Sequence, residues 1–167
     1  MKFLSSFVST VFFVGKLPVS PGTFGSLAGL LLIFPVIFIQ NFYQLFLIIF
    51  TMFSCACVLG FIFIPKYLAG KTDDLQEIVI DEITGLYLTI LLAILLCKIF
   101  KIDFNISIIF LLSFIFFRIF DITKPLIIGY YDKTLKGATG IMVDDLLAGI
   151  FAGLTVFLLA FIFKIFQ

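Results

Sequence analysis

The sequence predicts an all-α fold, a polytopic membrane helical bundle of about four to five transmembrane helices with an N-terminal interfacial segment. Three observations carry that prediction. Of the 167 residues, 63% are hydrophobic, well above the roughly 45–50% of soluble domains, and mean hydropathy is +1.31. No charged residue stands between Lys16 and Lys66, a gap that holds two spanning helices of about 20 residues each. The remaining charges gather at the ends of apolar runs rather than along them. With too little polar surface to coat a soluble globule, residues 1–167 read as one membrane-embedded domain.

In chain order, Phe3–Val14 follows Lys2 and is too short to span, which suits a segment lying along the interface. It looks like a short signal peptide, but no small-residue cleavage motif follows, so no cleavage is expected. Phe24–Gln40 is the first candidate span, with Pro35 placed to kink or shorten it. Tyr43–Ile64, Ile78–Cys97, Phe104–Ile122 and Ile141–Phe163 follow. Asp81 and Glu82 open the third run, Arg118 and Asp121 close the fourth, and Asp144 and Asp145 stand near the start of the fifth. The first and fourth runs would also fit re-entrant or incomplete segments. Gly25/Gly29 and Gly149/Gly153 are pairs of small residues four apart that let helices approach closely. The 25 Phe residues fill lipid-facing positions. Cys55, Cys57 and Cys97 lie in apolar runs and, with no His in the chain, cannot build a usual four-ligand zinc site. They read as small apolar fillers.

Orientation follows from Lys and Arg in short loops. With the N-terminus inside, Lys2, Lys16, Lys66, Lys71, Arg118, Lys124, Lys133 and Lys136 are cytoplasmic, and only Lys98, Lys101 and Lys164 lie outside. Eight against three predicts N-in and C-out. Asp81, Glu82, Arg118, Asp121, Lys124, Asp144 and Asp145 then meet at the cytoplasmic end of the bundle, brought there by three different helices.

Four stretches can carry chemistry. A carboxylate near hydrocarbon is costly, roughly 2.5–3.5 kcal/mol at mid-membrane and less at the interface. The adjacent pair Asp144-Asp145, and Asp81 set among apolar residues, therefore call for a compensating charge, most simply a divalent cation. In Phe117–Pro125, Arg118, Asp121 and Lys124 are spaced three apart, as a self-neutralising ladder or as a phosphate-holding edge. Lys136-Gly-Ala-Thr-Gly140 is a Gly-containing turn into a helix start, weak evidence for an anion site by itself. Gly15–Ser26 is irregular, with three hydroxyls and one lysine, and reads equally as a helix-capping turn. Asp73, Asp74, Glu77, Asp103 and Asp132 read as solvated loop residues, with Asp74 or Glu77 at most peripheral to a site. Histidine nucleophiles and bases are excluded, and no Cys precedes an Arg in a cysteine-phosphatase spacing. What remains is carboxylates, Lys, Arg and hydroxyls, a set suited to oxygen-ligated Mg²⁺ and phosphoryl chemistry.

Pro21-Gly-Thr-Phe-Gly-Ser26, Ile78-Val-Ile-Asp-Glu-Ile-Thr-Gly85, Phe117-Arg-Ile-Phe-Asp-Ile-Thr-Lys-Pro125 and Gly140-Ile-Met-Val-Asp-Asp-Leu-Leu-Ala-Gly149 together resemble the phosphatidylglycerophosphatase A family, in its order and spacing. The resemblance implies a Mg²⁺-dependent lipid phosphatase that converts phosphatidylglycerophosphate to phosphatidylglycerol in phospholipid biosynthesis. It implies a bacterial cytoplasmic (inner) membrane, and the charge bias independently puts the active site on the cytoplasmic face. Two departures stand out. Lys136-Gly137-Ala138 replaces a His-Gly-Gly common in the family, and Lys124-Pro125-Leu126-Ile127 replaces Lys-Pro-Trp-Pro. On this reading Asp81, Asp144 and Asp145 are the metal ligands, and Glu82 or Asp121 positions a water as base. Arg118, Lys124, Lys136 and Lys16 neutralise the phosphate. An aspartyl-phosphate route stays open. The partners expected are a membrane phospholipid and the bilayer, not nucleic acid, with the oligomeric state left open. Two other readings compete. A phosphotransferase acting on a nucleotide-activated lipid would carry a longer aspartate run that this chain lacks. A cation transporter would spread its carboxylates through the bilayer depth rather than at one end.

Overall fold

The computed structural model describes residues 2–69, 76–125 and 127–165. It is helical throughout, with no strand among the described residues. The helices are α1 (Lys2–Ser9), α2 (Pro21–Ile33), α3 (Phe42–Leu68), α4 (Ile80–Ile99), α5 (Ile106–Thr123), α6 (Ile127–Thr134) and α7 (Gly137–Ile165). Short 3₁₀ turns cover Val14–Lys16 and Phe34–Phe38. Five segments are long and apolar enough to cross a membrane: Pro21–Phe38, Phe42–Leu68, Ile80–Ile99, Ile106–Thr123 and Gly137–Lys164. The five apolar runs of the sequence thus all become helices, and the chain is a multi-pass membrane protein.

Local chemistry explains most helix ends. Pro21 sits in the first turn of α2, where its missing N–H costs nothing. Pro35 has the opposite effect: α2 ends at Ile33 and tightens into the 3₁₀ turn that contains the proline. Asn41 and Asn105 cap α3 and α5 at the far end of the bundle, each side chain accepting from two backbone N–H groups. α1 has only eight residues, so it reaches about 12 Å and cannot span. It buries Ser5 and Ser9 and exposes Phe3 and Leu4, the amphipathic pattern of an interfacial helix.

α4 is the central pillar. Of its 20 residues 13 are buried, a far larger share than in the other four spans, so those four carry the lipid-facing surface. Small residues set how closely the others approach α4. A Cβ at Gly149 would lie 2.5 Å from the Gly85 carbonyl oxygen, so only glycine permits this α4–α7 crossing. The Thr89 hydroxyl donates across it to the Gly149 carbonyl at 3.2 Å. On the other side Gly25 of α2 seats against Val79, and the buried Tyr87 hydroxyl donates to the Gly29 carbonyl at 3.0 Å. Both small-residue pairs read from the sequence therefore lie at helix contacts. The backbone N–H of Val79 donates to Ser9 O at 3.0 Å, tying α1 to the start of α4.

Candidate functional site

The site is built where α2, α4 and α7 begin and α5 ends. Asp81 and Glu82 occupy the first turn of α4, where the helix dipole favours negative charge. One turn separates Arg118 from Asp121 near the end of α5. That helix stops at Thr123, with Lys124 in the left-handed region (φ 40°) ahead of Pro125. The start of α7 differs from the sequence expectation. The helix begins at Gly137, so Asp144 and Asp145 lie about two turns inside it rather than in its first turn. The α7 dipole therefore does little for them, and they need another source of compensation. Between α5 and α7 lies α6, which the apolar pattern did not reveal because only eight residues form it.

These elements enclose a cavity of about 680 Å³. Its deep wall is acidic: Asp81, Asp144 and Asp145 are 8%, 6% and 4% exposed. Two basic side chains are tied into this wall. Arg118 Nη1 donates to Glu82 Oε2 and, at 2.6 Å, to Asp121 Oδ2. The Ser26 hydroxyl also donates to Glu82 Oε2, at 2.7 Å. Lys124 Nζ donates to Asp144 Oδ2 at 2.6 Å and to Asp132 Oδ1. Burial by itself would lower the Lys124 pKa, but the hydrogen bonds and charges of Asp132 and Asp144 outweigh it and raise the ammonium above the ordinary lysine value. Three buried carboxylate oxygens have no hydrogen-bond partner among the described residues: Asp81 Oδ1, Asp144 Oδ1 and Asp145 Oδ2. Arg118 Nε is buried and partnerless as well.

The sequence-predicted residues fare differently. Asp81, Glu82, Arg118, Asp121, Lys124, Lys136, Asp144 and Asp145 all line this one cavity. Arg118 and Lys124 enter it already bonded to carboxylates rather than as free cations. Lys16 is not in the lining; its Nζ lies 5.1 Å from the centroid of the Phe13 ring. Asp132, read as a solvated loop residue, is instead a partner of Lys124 in the lining. Glu77 accepts from the Tyr67 hydroxyl, and Asp103 lies at the opposite end of the bundle beside Lys98 and Lys101. Lys71, Asp73, Asp74 and Leu126 fall outside the described residues. Sequence reasoning gave no place in the site to Ser26, Asp132 or Lys133. The signal for Ser26 was its place one turn after Gly22 in a polar, glycine-rich helix start. For Asp132 and Lys133, charges eight and nine residues past Lys124, no one-dimensional signal was present.

The donor chemistry suits a hard divalent cation, since the three orphaned oxygens are all carboxylate. Among the described residues, no three acidic or thiol side chains form a ready-made cage around one point.

Fold and site together define a multi-pass membrane protein with an acid-walled polar cavity at one end of its spans. The chain belongs to the phosphatidylglycerophosphatase A family, whose model matches residues 7–160, and it is a phosphatase. It is similar to the phosphatidylglycerophosphatase A of Haemophilus influenzae, 37% identical over 149 residues that cover 86% of this chain and 80% of that protein. The Escherichia coli protein of the same name is 31% identical over 151 residues, 86% of this chain and 77% of its own length. A Bacteroides thetaiotaomicron protein with the provisional name phosphatidylinositol-3-phosphatase is 30% identical over 157 residues, 90% and 89% of the two chains. No solved structure matches this chain.

Proposed function

We propose that this chain hydrolyses the terminal phosphomonoester of phosphatidylglycerophosphate to phosphatidylglycerol and phosphate, with Mg²⁺ as cofactor, at the cytoplasmic face of a bacterial inner membrane. The observation that carries the reading is the trio of buried, partnerless oxygens on Asp81, Asp144 and Asp145 in a chain of this family. The eight-to-three distribution of Lys and Arg supports the orientation.

Asp81, Asp144 and Asp145 would hold the ion. When bound, Mg²⁺ supplies counter-charge for the phosphoryl oxygens and lowers the pKa of an attacking water. The carboxylate of Asp121 takes the proton from that water. Its Oδ1 carries no hydrogen bond among the described residues, whereas Glu82 is held by both Ser26 and Arg118. Arg118 fixes both carboxylates in place and sets a positive charge beside the phosphoryl group. As the new P–O bond forms, the bond to the glycerol oxygen breaks, and that oxygen takes a proton from solvent at the cavity mouth.

Purified protein in mixed micelles should release phosphate from phosphatidylglycerophosphate with Mg²⁺ and stop on addition of EDTA. Full activity in EDTA would sink the metal assignment, and no release under any metal would sink the lipid assignment. The Bacteroides relative favours a second headgroup reading, a phosphoinositide. Parallel assays of the two lipids decide between them.

A further inference from the structure

The four cations that line the cavity are not equivalent. Arg118 and Lys124 are bonded to carboxylates, while Lys133 and Lys136 make no hydrogen bond or ion pair among the described residues. The two pairs also differ in depth. Arg118 lies against the acidic wall with a side chain 13% exposed, whereas Lys133 and Lys136 are exposed at the mouth. Their backbone is held in place. Lys124 bonds to Asp132, the residue before Lys133. Leu135 N donates to Tyr131 O at 2.8 Å, and Gly137 turns the chain through the left-handed region (φ +66°) into α7. Two uncommitted ammonium groups are therefore presented close together in sequence, over the entrance to an acid-walled chamber.

We infer that Lys133 and Lys136 form a second anionic subsite that reads the phosphodiester joining the substrate headgroup to its lipid. This rests on the phospholipid phosphatase reading given above. A phospholipid with a phosphomonoester on its headgroup carries two anionic groups at different depths. The terminal monoester must reach the reactive wall, so the diester, nearer the acyl chains, stays at the mouth. Opposite charge at matching depth is what the lysines supply, and two separate ammonium groups can each donate to one of the two non-bridging oxygens of a diester. A glycerophosphate and an inositol phosphate headgroup share this two-phosphate layout. The subsite therefore selects phospholipid monoesters as a class against free phosphomonoesters, and does not choose between headgroups.

The test uses full-length protein carrying Lys133→Gln, Lys136→Gln or both, in mixed micelles at fixed salt. For phosphatidylglycerophosphate each single variant should raise KM about tenfold, with the change in KM rather than kcat. Inhibition by phosphatidylglycerol, which keeps only the diester, should weaken in parallel. Inhibition by inorganic phosphate, which mimics the monoester, should be unchanged. An unaltered KM in the double variant would overturn the inference. So would a parallel loss of inhibition by inorganic phosphate, because the lysines would then be holding the monoester. Wild-type protein that hydrolyses neither phospholipid would take down the underlying reading as well, and that result is seen before any variant is made.

Discussion

Replacing Asp145 by Asn separates a functional carboxylate from a structural one, because the two roles predict opposite signs for stability. Asp145 is 4% exposed and its Oδ2 has no partner among the described residues. A buried charged group left without a partner costs about 1–3 kcal/mol or more. A neutral amide in the same space costs less, so without metal the variant should be more stable than the wild type by about 1 kcal/mol, or about 2–4 °C in Tm for a chain of this size. If Mg²⁺ is the cofactor, as proposed, the wild type should recover that cost on binding it, with a stabilisation of about 2.7 kcal/mol at a hundredfold excess over Kd. The variant should lose most of that gain. Phosphate release should fall by at least about 10²-fold, the scale of losing one well-placed electrostatic group. Thermal unfolding in detergent, with EDTA and across a Mg²⁺ titration, reads both quantities on one sample. An Asp145→Asn protein that is destabilised in EDTA and still responds to Mg²⁺ like the wild type would refute the reasoning. Asp145 would then be a packing residue.

Four further outcomes follow from the same contacts. Asp121→Asn should lower kcat far more than Glu82→Gln if Asp121 is the base, and the reverse ranking in steady-state assays would exchange their roles. Gly22→Ala places a Cβ 1.8 Å from Glu82 Oε1 and 3.2 Å from Arg118 Nη2, so it should displace both and cut activity about tenfold or more with little change in Tm. Gly149→Val drives a side chain into the Gly85 carbonyl and should cost about 3 kcal/mol or more, read as loss of folded protein in detergent-solubilised membranes. Lys124→Met should cost about 1 kcal/mol or more, since Lys124 and Asp132 are about one-third exposed but Asp144, the other partner, is buried and would be left unpaired. The raised Lys124 pKa means its contribution is fully present below the unfolded lysine value of about 10.4 and is lost as pH rises through the folded value. Wild type and variant should therefore differ most below about pH 10 and converge as the pH climbs past the folded value.

The spans were legible because apolar runs bounded by charges fix a helix in a bilayer whatever its neighbours are. Their ends were less so. The α7 start at Gly137 extends through the small residues Gly137-Ala-Thr-Gly140, which carry little apolar signal, and the depth of the Asp pair inside the helix changes with it. The carboxylate cluster was legible because charge beside hydrocarbon is expensive enough to mark a residue by itself. What the cations do was not. Spacing placed Arg118 beside Asp121 and allowed Lys124 near it, but only packing brings Glu82 to Arg118 and Asp132 and Asp144 to Lys124. Lys16 shows the converse. Its neighbours in sequence belong to a site-forming segment, yet the left-handed turn at Val11–Phe13 leaves its ammonium against Phe13 instead of in the cavity.

The balance of charge in the cavity links these observations. Six acidic and four basic side chains line it, so it is net negative, although the substrate class presents a phosphomonoester close to a dianion. Arg118 and Lys124 cannot relieve the mismatch, because both are already shared between carboxylates. Nor do Lys133 and Lys136, which lie at the exposed mouth while the excess acid lies deep. A phosphatase built this way would repel its own reactive group unless a cation entered with it. On the proposed reading, a divalent ion at the orphaned oxygens would cancel the excess where it is concentrated and turn the acidic wall into an attractive one. The same acidity therefore argues for metal dependence and for its selectivity: monovalent cations at equal occupancy would leave the wall negative. Replacing Mg²⁺ by K⁺ or Na⁺ at matched ionic strength should give an inactive enzyme rather than a slow one.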